Sequence, residues 1–405
     1  MELHAHVIII ILSSIVILSY FFTLISNKTN IPSVLLLIST GIGIKYLSAH
    51  YGYVEKDVDV LVKTLGAIGL IMIILEAALD LDVHKKKITL VRNSFLSALF
   101  IFLASALAIA YLLQSWLYEP FMTAFVYAIP MSIISSAIVI PSTNNLPHEK
   151  KEFIIYESSF SDILGIMVFN YFLMDNVLSF SSSLAFLGRV GLAIAVSILA
   201  SVLLVYLLSK MEHSLKYFLV FAILSIVYAS GELIHLPALL IVLVFGLVLN
   251  NSPKIVIKRY SHKVPLRKLI GVIDFMKSIT AETSFLIRTF FFILFGYTIN
   301  LRVLIEPDVV FIGSIIVAIL LFIRFLYLRL ILKTNLFPEI FLMPRGLVTI
   351  LLFYSIPASK KLSTFNVGIL FYVVVLTSII MAIGLIFYKK EDKARYLKTT
   401  EENAI

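Results

Sequence analysis

The sequence predicts an all-α polytopic membrane protein with about thirteen transmembrane helices, and three observations carry that reading. Of the 405 residues, 60% are hydrophobic and only 14% charged, and the mean hydropathy of +1.03 lies far outside the range of a soluble domain. The apolar residues come in runs of spanning length, about 20 residues each. The positive charges are dense in alternate connections, as the two sides of a membrane require.

The runs fall near 7–25, 32–48, 59–79, 93–114, 120–142, 153–175, 187–209, 215–232, 236–250, 279–299, 308–332, 338–357 and 366–388, each bounded by charge or turn residues. Met1 to His6 carries no basic region, and the run that follows is long enough to span, so it reads as a retained first helix and not a cleaved signal. With the amino terminus outside, 23 of the 33 lysines and arginines fall in cytoplasmic segments and 7 in external ones, while Arg288, Arg324 and Arg345 lie inside spans. This asymmetry predicts a multi-pass protein of the cell (inner) membrane, amino terminus outside and carboxyl terminus cytoplasmic, and parity then requires an odd number of spans. The net charge of +9 is thereby explained as topology, and no nucleic-acid partner is implied. With no cysteine, the chain has no disulfide, thiolate nucleophile or iron–sulfur site.

The whole chain, 1–405, reads as one transmembrane unit: spans 1–6 in 1–180, a linking seventh span at 187–209, spans 8–13 in 215–388, and a short cytoplasmic tail, 389–405. The longest connection, 250–277, is basic with interspersed apolar residues and suits a helix lying on the cytoplasmic leaflet. Six spans on either side of the seventh make an inverted repeat the natural parse. In the fifth span of one half Pro141 follows Ser135 and Ser136, and in the corresponding span of the other Pro344 precedes Arg345 and Gly346. A proline inside a span frees backbone carbonyls, and two interruptions at matching places point to broken helices around a midplane ion site.

Within the sixth span stand two carboxylates, Glu157 and Asp162. An acid at the centre of a spanning helix costs roughly 2.5–3.5 kcal/mol and ordinarily marks an ion pathway or a partnered site. Residues four apart share a helix face, so Ser158 and Asp162 point one way while Glu157 and Ser161 point another. Asp162 with the Ser158 hydroxyl forms a hard-oxygen cluster suited to a partly dehydrated alkali cation. Burial disfavours the bare carboxylate, so a proton and a cation compete for it. Such competition at one site that faces each side in turn is exchange. Glu157, on the other face, calls for a permanent cation, and Arg345 is the leading candidate, because its fork holds a carboxylate bidentately.

The run Glu157-Ser158-Ser159-Phe160-Ser161-Asp162 resembles the Glu-Ser-x-x-Asn-Asp motif of the monovalent cation:proton antiporters, particularly the bacterial sodium/proton antiporters related to the animal sodium/proton exchangers. Pro344-Arg345-Gly346 resembles their Arg-Gly motif in the second broken helix. The resemblance implies a thirteen-span fold in which a dimer-forming domain supports a moving core. It implies Asp162 as the carrier of cation and proton, Ser158 as a ligand, and Glu157 and Arg345 as a structural pair. The partners it implies are Na+, K+ or Li+, with H+, membrane lipid and a second copy of the chain; it implies no cofactor and no enzymatic activity.

The sequence departs from that pattern in two places. The residue before the carrier acid is Ser161 and not Asn or Asp, and the Thr-Asp of the first broken helix is missing, with Ser135 and Ser136 the nearest polar residues. Glu76 in the third span either replaces the missing acid or is an interfacial acid at the start of the cytoplasmic loop. In the tenth span Arg288 stands where relatives that move more than one proton per ion carry a lysine. Arginine does not lose its proton at accessible pH, so the expectation is electroneutral one-for-one exchange with Arg288 as a fixed charge; the other reading is a snorkelling or Glu282-paired arginine. The histidines lie in loops or at span ends without metal-ligand spacing, and His148 is the one nominated as a pH sensor. A sodium-coupled symporter of organic solutes with related inverted-repeat architecture is the alternative. It calls for more polar residues near the broken helices than the Ile, Val and Leu that line them.

Overall fold

The structure, a computed structural model, describes residues 5–29, 31–50, 58–81, 87–143, 146–174, 179–210, 216–234, 236–260, 266–333 and 337–402. The described residues are mostly helical, and no strand is found among them. In order they form α1 (Ala5–Thr29), α2 (Ser33–His50), α3 (Val58–Asp80), α4 (Ile88–Leu117), α5 (Phe121–Ser132), α6 (Ser136–Ser142), α7 (His148–Leu173), α8 (Phe180–Lys210), α9 (Lys216–Leu233), α10 (Ala238–Tyr260), α11 (Leu266–Thr298), α12 (Leu301–Leu304), α13 (Pro307–Leu326), α14 (Leu347–Tyr354) and α15 (Gly368–Glu402). A π-helical turn, Tyr327–Leu332, continues α13. Each of the thirteen apolar runs falls on a helix or on a pair of helical pieces.

Helix is what such a sequence must form in lipid, where each backbone N–H and C=O has to be bonded within its own segment. Eight helices among the described residues are long and apolar enough to cross a membrane, and the stretches Ile68–Leu79, Leu219–Leu233 and Ala238–Pro253 are shorter apolar helices. The spans' hydroxyl groups commonly bond back to their own helix, as Thr40 does to the Leu36 carbonyl at 2.8 Å and Ser378 to that of Val374 at 2.8 Å. The turn before α13 is set locally: Asn300 caps α12 by accepting from the Arg302 N–H at 3.1 Å, and Pro307 with Asp308 opens α13.

The chain divides into two compact units, Met1–Gly66 with Asn93–Asp162 and Arg288–Ile405, and Ala67–Arg92 with Ile163–Ile287. In the first unit, α2 and the end of α11 approach closely: Gly41 lies on the Ile293 carbonyl and Gly296 on the Ile38 carbonyl, where any side chain would collide with backbone. Lys45 Nζ closes that contact by donating to the Ile299 and Thr298 carbonyls at 2.8 and 3.3 Å. The α4 face of Ser94, Ser97 and Ser105 is buried, and Ser94 donates to the Phe153 carbonyl of α7 at 3.2 Å. In the second unit, Ser197 of α8 donates to the Ile241 carbonyl of α10 at 2.7 Å, and Asn250 caps the end of α3 at the Leu81 carbonyl, 3.0 Å away. Small polar residues at helix contacts are the usual glue of helices in lipid.

Two sequence expectations need correction. The first break is not at Pro141, which sits inside α6, but at Ile133–Ser135, where the backbone is extended just after Pro130. The connection 250–277 is not one separate surface helix: α10 runs on to Tyr260 and α11 begins at Leu266, with 261–265 and the side chains of 254–269 outside the described residues. His4, His84, His213, His235 and His262 also lie outside them.

Candidate ion-exchange site

The site lies in the first unit, where the two interrupted spans meet. One is α5 and α6, separated by the extended residues 133–135; the other is α14, preceded by the extended residues 342–346 and a 3-10 turn, Glu339–Phe341. The two extended segments touch directly, because the Ser135 N–H donates to the Pro344 carbonyl at 2.9 Å. Gly346 makes the approach possible. A methyl there would stand 2.5 Å from Ser135 Oγ and 2.8 Å from Ile138 Cδ1.

A break leaves helix ends whose carbonyls and N–H groups lack partners in their own helix. Arg345, 1% exposed, answers the carbonyl ends. Its guanidinium donates to the carbonyls of Met131 (2.8 Å), Ser132 (3.3 Å) and Met343 (2.5 Å), and its own N–H is bonded to Thr377 Oγ1 at 3.0 Å. A fixed positive charge at helix carboxyl ends is favourable by the peptide dipoles as well. Asp162, 2% exposed, answers the opposite end. Its Oδ2 accepts from the Ser136 N–H at 3.2 Å and from the Ser136 hydroxyl. Its Oδ1 has no hydrogen-bond partner among the described residues.

Asp162 comes from α7, which runs unbroken past the first interruption and holds it in place. Ser161 Oγ accepts from the Ile134 N–H at 2.9 Å, so Ser161 fixes the extended segment while Asp162 fixes the start of α6. Ser158 is fully buried, but its hydroxyl donates to the Ile155 carbonyl at 3.2 Å, one turn back along α7, and not to Asp162. Ser136 is the hydroxyl that the structure brings onto the carboxylate.

Glu157 does not pair with Arg345. Its partner is Arg324 of α13, which donates from Nη2 to Oε2 at 2.8 Å and from Nη1 to Oε1 at 3.1 Å, while Ser97 Oγ donates to Oε1 at 2.5 Å. Arg324 Nε goes to the Glu339 carbonyl at 2.7 Å. The physical reason is geometric competition: the Arg345 fork is taken up by three carbonyls at the breaks, and Arg324 reaches Glu157 from a neighbouring helix. Arg324 is one of the three arginines that the sequence places inside spans, and nothing in its local sequence marks it as the partner of Glu157. Ser97 carried no signal beyond being one of several serines on an apolar helix.

Glu76 is partly buried on α3, in the second unit, and Arg288 is partly buried on α11. His148 is exposed at the start of α7, with Nδ1 3.7 Å from Glu152 Oε2. Among the described residues no group of three or more His, Asp or Glu side chains is placed to hold a metal ion. The site offers one buried carboxylate, Asp162, beside the hydroxyl of Ser136.

Discontinuous helices that meet at buried charges in a polytopic helical protein are the architecture of ion-coupled secondary transporters, and the fold and the site put this protein in that class. The chain belongs to the sodium/hydrogen exchanger family: the family model described as "Sodium/hydrogen exchanger, transmembrane" matches residues 12–389. It is therefore a multi-pass membrane transporter of cations and protons and not an enzyme. The structure of the sodium proton antiporter MjNhaP1 from Methanocaldococcus jannaschii at pH 8 is similar, with a TM-score of 0.72 at 20% identity over 94% of this chain and 100% of that one. An electron-microscopy structure of the same antiporter has a TM-score of 0.69 at 19% identity over 98% of each chain. The likeness is one of fold. No curated protein matches the chain in sequence.

Proposed function

We propose that the protein exchanges a monovalent cation, Na+ foremost and otherwise K+ or Li+, for H+ across the cell membrane, with Asp162 as the shared carrier exposed to each side in turn. The observation that carries this reading is the state of the Asp162 carboxylate: Oδ2 is held by Ser136, while Oδ1 is buried and without a partner among the described residues. A buried carboxylate oxygen with nothing to accept from is costly. A proton or a cation each removes that cost, and both do not fit on one charge at once. Ser136 positions the carboxylate, and Ser158 is a nearby oxygen on the same helix face. Glu76 of α3 is a further candidate acid, and Arg288 of α11 a candidate structural charge. One titrating carboxylate at the site supports one-for-one, electroneutral exchange. The proposed working form is a homodimer in lipid, amino terminus outside and carboxyl terminus cytoplasmic, as the charge asymmetry favours.

The test is dissipation of a pH gradient in vesicles on adding Na+, K+ or Li+, with wild type and Asp162→Asn. Exchange by wild type and none by Asp162→Asn is expected; full exchange by the variant sinks the carrier assignment. Repeating the wild-type assay under an imposed membrane potential should leave the final ion gradient unchanged, and a clear voltage dependence rules out electroneutrality.

A further inference from the structure

Two buried hydroxyls at the breaks make no hydrogen bond among the described residues, Ser135 Oγ and Thr349 Oγ1. Both residues are fully buried. Elsewhere in the spans Ser132, Ser142, Ser355 and Thr377 donate to the carbonyl four residues back, at 2.7–2.9 Å, the ordinary way for a helical hydroxyl to satisfy itself. Ser135 and Thr349 keep theirs open.

Their positions are related. Gly346 is the N-cap of α14 and Thr349 its third residue. These two positions are neighbours in space, the relation by which an N-cap side chain reaches the third N–H of a helix. Gly346 has no side chain, and Ser135 Oγ occupies that place, 2.5 Å from where a Cβ would stand. The next residue, Ser136, holds Asp162 Oδ2, and Asp162 Oδ1 is a third open oxygen. Ser135 Oγ thus stands at the start of α14, which carries Thr349, and the residue after Ser135 holds Asp162.

We propose that Thr349 and Ser135 supply hydroxyl oxygens to the transported cation, and that Thr349 is a specificity-determining residue of the exchange site. This rests on the reading of Asp162 as the carrier. Hydroxyls fit the task because each can donate towards a bare carboxylate or turn a lone pair to a cation. They add no charge, so one carboxylate still balances one monovalent ion. Hard, neutral oxygens also discriminate among alkali ions by the number and spacing of ligands and not by charge.

The experiment is cation-dependent dissipation of a pH gradient in vesicles, with KM and maximal rate measured separately for Na+, K+ and Li+. Thr349→Val removes the oxygen and keeps the shape; it should raise KM for the preferred cation about tenfold, leave the maximal rate within about twofold, and change the ranking of the three ions. Thr349→Ser should stay near wild type, and Ser135→Ala should raise KM in the same direction. Thr349→Ala gives the same reading should the valine variant fail to fold. A KM within about twofold of wild type in both the Thr349 variant and Ser135→Ala overturns the proposal. Asp162→Asn in the same assay keeps the two ideas apart: if it is silent while Thr349→Val is unchanged, only the role of Thr349 falls, and if it still exchanges, both fall.

Discussion

Arg324 and Glu157 meet as a two-pronged ion pair inside the protein, Nη2 to Oε2 at 2.8 Å and Nη1 to Oε1 at 3.1 Å, with neither side chain exposed. Ser97 adds a second donor to Oε1, and Arg324 Nε donates to the Glu339 carbonyl. The pair is therefore saturated, which is what lets two charges rest in an apolar interior. It leaves Glu157 no free oxygen for an ion and separates its role from that of Asp162 five residues on.

Removing one partner strands the other. Glu157→Gln and Arg324→Gln are each expected to cost about 3–5 kcal/mol of stability, read as a fall in the thermal unfolding midpoint of the purified protein in detergent. The double variant should be far less destabilised than the sum of the two. A cycle between Glu157 and Arg345 should be nearly additive by comparison; strong coupling there and none with Arg324 contradicts the assignment of the pair.

Arg345 serves backbone, not a carboxylate. Arg345→Met leaves the carbonyls of Met131, Ser132 and Met343 without their donor, and hydrogen bonds to a charged group contribute about 1.5–3 kcal/mol each. The expected outcome is a large loss of thermal stability, about 3 kcal/mol or more, with transport lost because both breaks loosen. Arg345→Lys keeps the charge but not the fork, so it should be intermediate. A methionine variant as stable as wild type contradicts the capping role.

Gly346 is needed for space and not for conformation. Its backbone is extended, with φ at −161°, a region open to any residue. Gly346→Ala nevertheless drives a methyl into Ser135 Oγ and Ile138, and overpacking of this kind costs about 1–3 kcal/mol. Ser135→Gly made in the same chain should recover part of that loss in a thermal unfolding assay; no recovery locates the clash elsewhere.

Lys150, at the start of α7, donates to Glu339 Oε2 at 3.0 Å and to the Phe337 carbonyl at 2.8 Å, next to the strap that leads into the second break. The pair is partly open to solvent, with Lys150 26% exposed, so screening limits its worth to about 1 kcal/mol. Lys150→Glu should be destabilised by repulsion, and Lys150→Glu with Glu339→Lys should return most of the loss, measured by unfolding midpoint at low and high salt. A double variant no better than the single shows that the pair is not coupled.

The sequence by itself determined the number and placing of the spans, because burying about 20 apolar residues per crossing in lipid leaves few alternatives. It also determined that Asp162 and Glu157 lie inside a span and that two spans are interrupted, since buried charge and proline are costly wherever the helix packs. Only the tertiary structure decided which arginine takes Glu157. Three arginines lie within spans, and the choice between them depends on which side chains face one another across α7 and α13. The first break was legible as a disturbed span but misplaced at Pro141. A proline weakens a helix locally, yet where the chain opens is settled by what catches the freed groups: Ser161 on the Ile134 N–H, Arg345 on the Met131 and Ser132 carbonyls, and Asp162 on the Ser136 N–H. Those partners lie between 26 and 214 residues away along the chain. No local pattern encodes contacts of that length, and the candidate site is made of them.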